Sequence, residues 1–300
     1  MLRDKKIKAV VVKVDRFDGV SNHPADPVAL AKVGTKLHKE IRDLDRYQCN
    51  MRAVGTGHLV EIMDAYDLLP TENYRFGSFP KASKIYSPKF YKLFTKIIPD
   101  GCWHGCTMAC AKTVDGYTVM TGPYKGEKVT VDGPEYETIG ACSNMSLWDP
   151  LWVLEFNFYC DTYGIDTISA GTAIAFYMEM YEYGILNKER CDKLELCFGN
   201  ADAALELLHR IAKGDDGEFI KVAAKGARRV KDWINSHGWG DKRLVEDAGM
   251  ESKGLEFSEY VTKESLAMQG GYGLTLKGPQ HDEAWLIFRD MVNNAIPTCQ

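Results

Sequence analysis

Apolar residues recur along this chain at two different spacings. From Lys6 to Val14 they run almost unbroken and β-branched (Ile7, Val10, Val11, Val12, Val14), which predicts a short strand ending at the polar turn Asp15–Gly19. No hairpin partner follows, so that strand is an edge awaiting a neighbour. From Pro27 to Asp45 a leading proline precedes Leu30, Val33, Leu37, Ile41 and Leu44 at helical spacing, and a helix is predicted there. Residues 70–101, rich in Pro, Gly, Ser and aromatics, predict a long ordered loop. Tyr117–Val131, punctuated by Gly122, Pro123 and Gly126, predicts a polar hairpin or excursion. Beyond Asp149 the period turns helical: 150–164, 169–184, 201–213 (Leu205, Leu208 and Ile211 on one face), 218–239, and mixed helix and loop over 264–295. The expected fold class is mainly α, with a short β segment at the start.

Composition narrows the function classes. The 300 residues are 45% hydrophobic and 26% charged, enough for a sizeable core and unlike a disordered chain. The net charge of −5 comes without a run of five like charges, which argues against a nucleic-acid surface or a polybasic membrane anchor. No apolar stretch approaches the ~18 residues of a membrane span, and Met1–Lys8 is charged rather than apolar. The expectation is a cytoplasmic protein with neither nucleic acid nor membrane as partner.

Nine cysteines without a secretory signal read as reduced thiols: metal ligands, catalytic groups or small buried apolar residues. Three fall in one nine-residue window, Cys102, Cys106 and Cys110. On a continuous helix they would drift along one stripe, but Gly101 and Gly105 disfavour a regular helix and let the backbone fold around a compact object. Close thiolates need a cation or cluster to offset their repulsion. Zinc sites usually show C-x2-C pairs, whereas an iron–sulfur cluster takes several local cysteines plus a remote one, so a cluster is the preferred reading. A zinc domain on these cysteines with His104 is the alternative.

Other constellations carry two readings each. Asp161-Thr162-Tyr163-Gly164-Ile165-Asp166-Thr167 lies between two apolar helices. Gly164 fits a C-cap and Asp166 or Thr167 an N-cap, while the same turn offers free N–H groups and carboxylates to a polar ligand. Asp132–Thr138 holds Glu135 and Glu137, which alone read as solvated. His281 sits in a loop beside Asp282 and Glu283, structural or catalytic. Glu206 and His209 share a helix face, as surface polarity or as ligands that, with Glu155, could bridge subunits through a metal.

Together these segments resemble the aldehyde:ferredoxin oxidoreductase family of tungsten-pterin enzymes. Lys6–Val10 is similar to the strand closing that family's N-terminal domain, and Cys102, Cys106 and Cys110 to its clustered iron–sulfur ligands. Gly133-Pro134-Glu135-Tyr136-Glu137-Thr138 is similar to its G-P-E-Y-E-T segment and Asp161–Asp166 to its first D-x-x-G-[LI]-[DC] pterin motif. Lys253-Gly254-Leu255-Glu256 is similar to its K-G-L-E turn. The resemblance implies the helical second and partial third domains of that fold: 1–245 with the cluster cysteines and first pterin motif, and 246–300 as the start of the C-terminal domain. It also implies a chain without most of the N-terminal domain and without the second D-x-x-G-x-C motif that carries the fourth cluster cysteine. Cys299 does not match that motif.

The resemblance further implies a [4Fe–4S] cluster on Cys102, Cys106 and Cys110, and a tungsten (or molybdenum) bis-pterin near Asp161, Gly164, Ile165, Asp166, Thr167, Lys253 and Gly254. Glu135, Glu137 and His281 would be the catalytic groups. The implied reaction oxidises an aldehyde with water to a carboxylic acid. Electrons would pass to ferredoxin or a ferredoxin-like iron–sulfur subunit, with a flavin subunit and a homo-oligomer as further partners. Two departures point to a multi-subunit branch: x3 in both cysteine gaps, where the family has C-x2-C-x3-C, and Phe257–Lys263 in place of x-P-A-Y-D-P-R. A tungsten benzoyl-CoA reductase, acting on an aromatic acyl-CoA, is the close alternative. A non-catalytic fragment is the other.

Overall fold

The computed structural model describes residues 5–7, 9–13, 24–43, 50–95, 101–102, 106–263 and 265–282. The chain divides into two units, Met1–Leu44 and Asp45–Gln300. In the first, α1 (Pro27–Asp43) forms as predicted, but it buries nothing: Val28, Leu30, Val33 and Leu37 are exposed. The strand predicted over 6–14 does not form among the described residues 5–7 and 9–13. Val10, Val11 and Val12 stand exposed there, because a β-branched run needs a second strand to take its backbone hydrogen bonds.

The second unit opens with α2 (Met51–Val54), a 3-10 turn at Thr56–His58 and α3 (Leu59–Ala65). The predicted loop over 70–101 is interrupted by a 3-10 turn at Ala82–Ile85 and by α4 (Ser87–Tyr91). Pro88 starts that short helix and Phe90 buries it. The predicted hairpin begins earlier than its punctuation suggested. Strands β1 (Thr113–Thr118) and β2 (Lys128–Asp132) pair antiparallel, with Thr113 opposite Asp132 and a register shift between Val114 and Tyr117.

Helix α5 (Tyr136–Asn144) was not anticipated, since eight of its nine residues are buried and no polar face marks its period. The next two helices, α6 (Pro150–Tyr163) and α7 (Thr167–Glu182), are likewise largely buried, and α5 packs on α7. Then follows α8 (Ala201–Lys213). The single helix predicted over 218–239 is two, α9 (Glu218–Ala223) and α10 (Ala227–Ser236). The break falls at Gly226, at φ +89°, where a Cβ would lie 2.6 Å from Oε1 of Glu256. Helix α11 (Lys242–Ala248) leads into a hairpin of β3 (Glu251–Ser252) and β4 (Leu255–Glu256). Lys253 and Gly254, both at positive φ, supply the two-residue turn. Helix α12 (Leu266–Leu274) opens the segment predicted over 264–295, of which 283–300 lie outside the described residues.

One buried carboxylate ties the β1–β2 connection to α6. Glu155, fully buried, accepts hydrogen bonds from Tyr117 Oη at 2.8 Å, Met120 N at 2.9 Å, Thr121 N at 2.7 Å and Thr121 Oγ1 at 2.6 Å. Its four acceptor positions are filled from within the chain, which accounts for it without a metal. Glu155→Ala strands these donors in a dry site, so a loss of about 3 kcal/mol or more is expected in a denaturant melt.

Candidate functional site

Strand β2 ends at Asp132, whose carbonyl accepts from Asn157 Nδ2 of α6 at 2.6 Å. The Gly133 N–H donates to Lys112 O at 2.8 Å and the Tyr136 N–H to Thr56 Oγ1 at 2.8 Å. The chain is thereby pinned on both sides as it enters α5. Glu135 is the N-cap residue and exposed, while Glu137, one step into the helix, turns inward.

Glu137 Oε1 lies 3.1 Å from His281 Nδ1, and Oε2 accepts the Glu259 N–H at 2.9 Å. Tyr260 hydrogen-bonds the same carboxyl. His281 Nδ1 is also 3.2 Å from Ser258 Oγ. Residues 144 positions apart in sequence are therefore brought into one cluster, together with residues the sequence reading missed. Burial raises the Glu137 carboxyl above its ordinary range, and His281 draws it partly back. The Glu135 carboxyl is raised first by its packed surroundings and then by Asp132, with His281 opposing.

Behind Glu137 sits Glu259, a completely buried second carboxyl that burial, then the neighbouring Glu137, pushes well above the usual range. Thr172 Oγ1 hydrogen-bonds its Oε1 at 2.9 Å. No motif marks Glu259. The available signal was a lone acidic residue between Phe257 and Tyr260, and it is too common to single out. The folded protein holds a proton here that the unfolded chain releases near 4.5. The contribution of this group to stability is therefore fully present below that pH and is lost as pH rises through the unfolded value toward the folded one, by about 1.4 kcal/mol per pH unit. Glu61, Glu137, Glu179 and Glu256, raised by burial, add to the same trend. Thermal melts of the wild type and Glu259→Gln from pH 4 upward are expected to differ by this group's share, the wild type losing stability relative to the variant as pH rises.

The residues expected to hold a cofactor fall into two groups. Gly164 closes α6 in the left-handed conformation, and the Ile165 N–H donates to Cys160 O at 2.9 Å. Asp166 caps α7, accepting the Ser169 N–H at 2.7 Å, and Thr167 Oγ1 lies 3.2 Å from Thr138 Oγ1. Asp161, exposed, accepts from Asn157 Nδ2 at 3.0 Å. Its carboxyl is raised by partial burial and then by Asp132. Both cap readings of this turn are thus realised. Ile165 also lines a cavity of about 310 Å³ with Ser169 and Ala173 of α7, Lys225, Gly254 and Glu256. The turn after α6 and the Lys253-Gly254 turn, 89 residues apart, meet there. Lys253 itself bonds the Thr275 carbonyl.

The cysteine loop is anchored at its C-terminal end. Gly55, at φ +75°, leaves room for the Cys110 carbonyl and Lys112 side chain, which a Cβ would meet at 3.1 and 3.0 Å. Lys112 Nζ donates to Ala109 O at 3.2 Å and Ala111 O at 3.0 Å. Cys102 is exposed and Cys106 and Cys110 are half-buried. Among the described residues, no three His, Cys, Asp or Glu side chains gather as a metal site. His104 and Cys299 lie outside the described residues.

The sequence pattern of the family described as "Aldehyde ferredoxin oxidoreductase, domains 2 & 3" matches residues 32–298. The chain belongs to the aldehyde ferredoxin oxidoreductase family. Its mainly helical architecture is that of the family's second and third domains. The tungsten-containing aldehyde ferredoxin oxidoreductase of Pyrococcus horikoshii is 31% identical over 272 residues, 86% of this chain and 41% of that protein. A WOR-like subunit of an aliphatic sulfonate oxidoreductase from Pyrococcus furiosus is 28% identical over 57% of this chain and 24% of that protein. The chain thus spans about two-fifths of the length of the aldehyde ferredoxin oxidoreductase it matches. Among solved structures, the active-site complex of benzoyl coenzyme A reductase with 1,5-dienoyl-CoA shares the fold. The TM-score is 0.50 at 19% identity, over 78% of this chain and 34% of that one. Among the described residues, no helix is long and apolar enough to cross a membrane.

Proposed function

We propose that this chain carries the acid–base groups and part of the cofactor cradle of a tungsten-pterin oxidoreductase that oxidises an aldehyde with water to a carboxylic acid. Electrons would leave through a [4Fe–4S] cluster to ferredoxin or an electron-transfer subunit. The supporting observation is the Glu137–His281 contact, half-buried at the start of α5, in a chain of this family.

The residues present fit a pterin in one respect: the two turns expected to touch it, at Ile165 and at Gly254, line a single cavity. Asp161, exposed at the end of α6, would hydrogen-bond its polar edge. For the cluster, Cys102, Cys106 and Cys110 are donors of the right chemistry on one loop. A bound tungsten pterin would supply the acceptor for the two electrons that aldehyde oxidation releases. The protein must also remove the two protons released with them. Glu137, its carboxyl raised above the ordinary carboxylate range by burial, would take a proton from water. His281, held at Nδ1 by Glu137 and Ser258, would orient the carbonyl oxygen.

The test uses the protein in its full assembly, purified without oxygen. Tungsten and iron in the chain, with aldehyde-dependent reduction of ferredoxin, are the expected results. Cys106→Ser should lower the iron content. Metal-free, folded protein would overturn the proposal, as would inertness to aldehydes combined with reduction of an aromatic acyl-CoA by a low-potential donor.

A further inference from the structure

The segment 257–260 touches both members of the Glu137–His281 pair. Ser258 Oγ lies 3.2 Å from His281 Nδ1, and the Glu259 N–H donates to Glu137 Oε2 at 2.9 Å. Tyr260 hydrogen-bonds Glu137, and its ring lies 5.3 Å from the imidazole while stacking on Tyr136 at 4.9 Å. The Glu259 side chain faces α7 and the 72–74 turn instead. Thr172 Oγ1 is 2.9 Å from its Oε1 and 3.0 Å from the Phe257 carbonyl. Tyr74 Oη is 3.5 Å from its Oε2 and donates to Phe257 O at 2.9 Å. Two hydroxyls thus grip both the backbone and the side chain of this strap.

The tyrosine is itself held in an uncommon conformation. Glu72, Asn73 and Tyr74 run consecutively at φ +50°, +56° and +63°, a region that side-chain-bearing residues adopt at a cost and keep only where neighbours enforce it. Asn73 Nδ2 donates to Glu179 Oε2 at 2.5 Å and Ala248 O at 2.8 Å, and Asn144 Oδ1 takes the Tyr74 N–H at 2.9 Å. This turn delivers the Tyr74 hydroxyl to the strap.

We propose that Glu259 is a positioning residue: its buried carboxyl, held by Thr172 and Tyr74, fixes the 257–260 strap, and the strap sets the Glu137–His281 distance and keeps the imidazole proton on Nδ1. The inference rests on the reading of Glu137 and His281 as the reacting pair. A hydrogen on Nδ1 would face Glu137 Oε1 at 3.1 Å and Ser258 Oγ at 3.2 Å, both able to accept it, and this is the tautomer the strap would favour. Glu259 serves this role uncharged. Glu137 on α5 and Asp166 at the start of α7 are the charges that face it, among the phenols of Tyr74, Tyr136 and Tyr272 and the thiol of Cys142.

Nitrogen-15 spectra of the histidines in the purified chain, free of substrate, report the tautomer directly. The wild type is expected to show His281 with hydrogen on Nδ1. Glu259→Ala should shift the ring toward the other tautomer, and in the loaded enzyme lower kcat by about tenfold or more with KM within about twofold, the pattern of misplaced rather than weakened binding. Thr172→Val, which removes one hydroxyl without opening a cavity, should move both readouts in the same direction by less. Glu259→Gln, neutral and still an acceptor, should recover most of what Glu259→Ala loses. An unchanged tautomer and rate in both Glu259→Ala and Thr172→Val would overturn the proposal, as would Glu259→Gln being as damaging as Glu259→Ala. If Glu259→Ala does not fold, Thr172→Val and Glu259→Gln decide. A tautomer that follows Glu259 while Glu137→Gln leaves kcat intact would uphold the positioning and overturn the reacting-pair reading.

Discussion

Glu137→Gln is expected to lower kcat for the proposed aldehyde oxidation by about 10²–10⁴-fold, the range lost with a positioned acid–base group. The amide keeps the size of the side chain but cannot take up a proton at working pH. It also presents N–H groups to a site where the Glu259 N–H already donates to Oε2 and His281 Nδ1 lies 3.1 Å from Oε1. With its nitrogen in the Oε2 position, the amide would meet the Glu259 N–H donor against donor. Glu135→Gln should cost less than about tenfold, at the low end of such effects, because Glu135 is exposed and meets His281 through charge alone. Initial rates across pH for both variants, with tungsten and iron contents matched to the wild type, separate the two glutamates. A larger loss in Glu135→Gln would reverse the assignment.

How much of this was legible in the sequence depended on whether an element kept a two-sided environment. α8 did, with Leu205 and Leu208 buried against an exposed opposite face, and its bounds agree with the pattern. α5 did not: Ile139, Ala141, Cys142 and Ser143 are all buried, so its composition looked featureless although it carries Glu137. The break between α9 and α10 was hidden because Gly226 is needed for its nearness to Glu256, thirty positions on, and no local pattern reports that. The strand at 6–14 failed for the opposite reason, strong local preference with no partner among the described residues. In the site, Glu137 and His281 were readable as candidates, but the strap that joins them was not. Ser258 and Glu259 fall in the segment that departs from the family's pattern, and only the long-range contacts to α7 and to the 72–74 turn give those departures a place.

Gly171→Ala, the addition of a single methyl, is expected to destabilise the fold by about 2–3 kcal/mol, near the upper end of ordinary overpacking. A Cβ at position 171 would lie 2.2 Å from the Cβ of Ala141 and 3.0 Å from its Cα. Backbone atoms on that side cannot swing away, so α5 and α7 must separate. Gly140, next to Ala141, leaves no slack, since its own Cβ would sit 2.7 Å from the Cβ of Glu259. The melting temperature should fall by roughly 5–10 °C. Gly270→Ala is the control: nothing lies within 4 Å of a Cβ there, and the exposed position on α12 should gain up to about 1 kcal/mol from helix propensity. Position 171 immediately precedes Thr172, which grips the strap, and α5 carries Glu137. Separation of the two helices should therefore reach the Glu137–His281 contact as well, lowering kcat at temperatures where Gly171→Ala is still fully folded. A melting temperature within about a degree of the wild type would show that the helix pair has more room than its geometry allows.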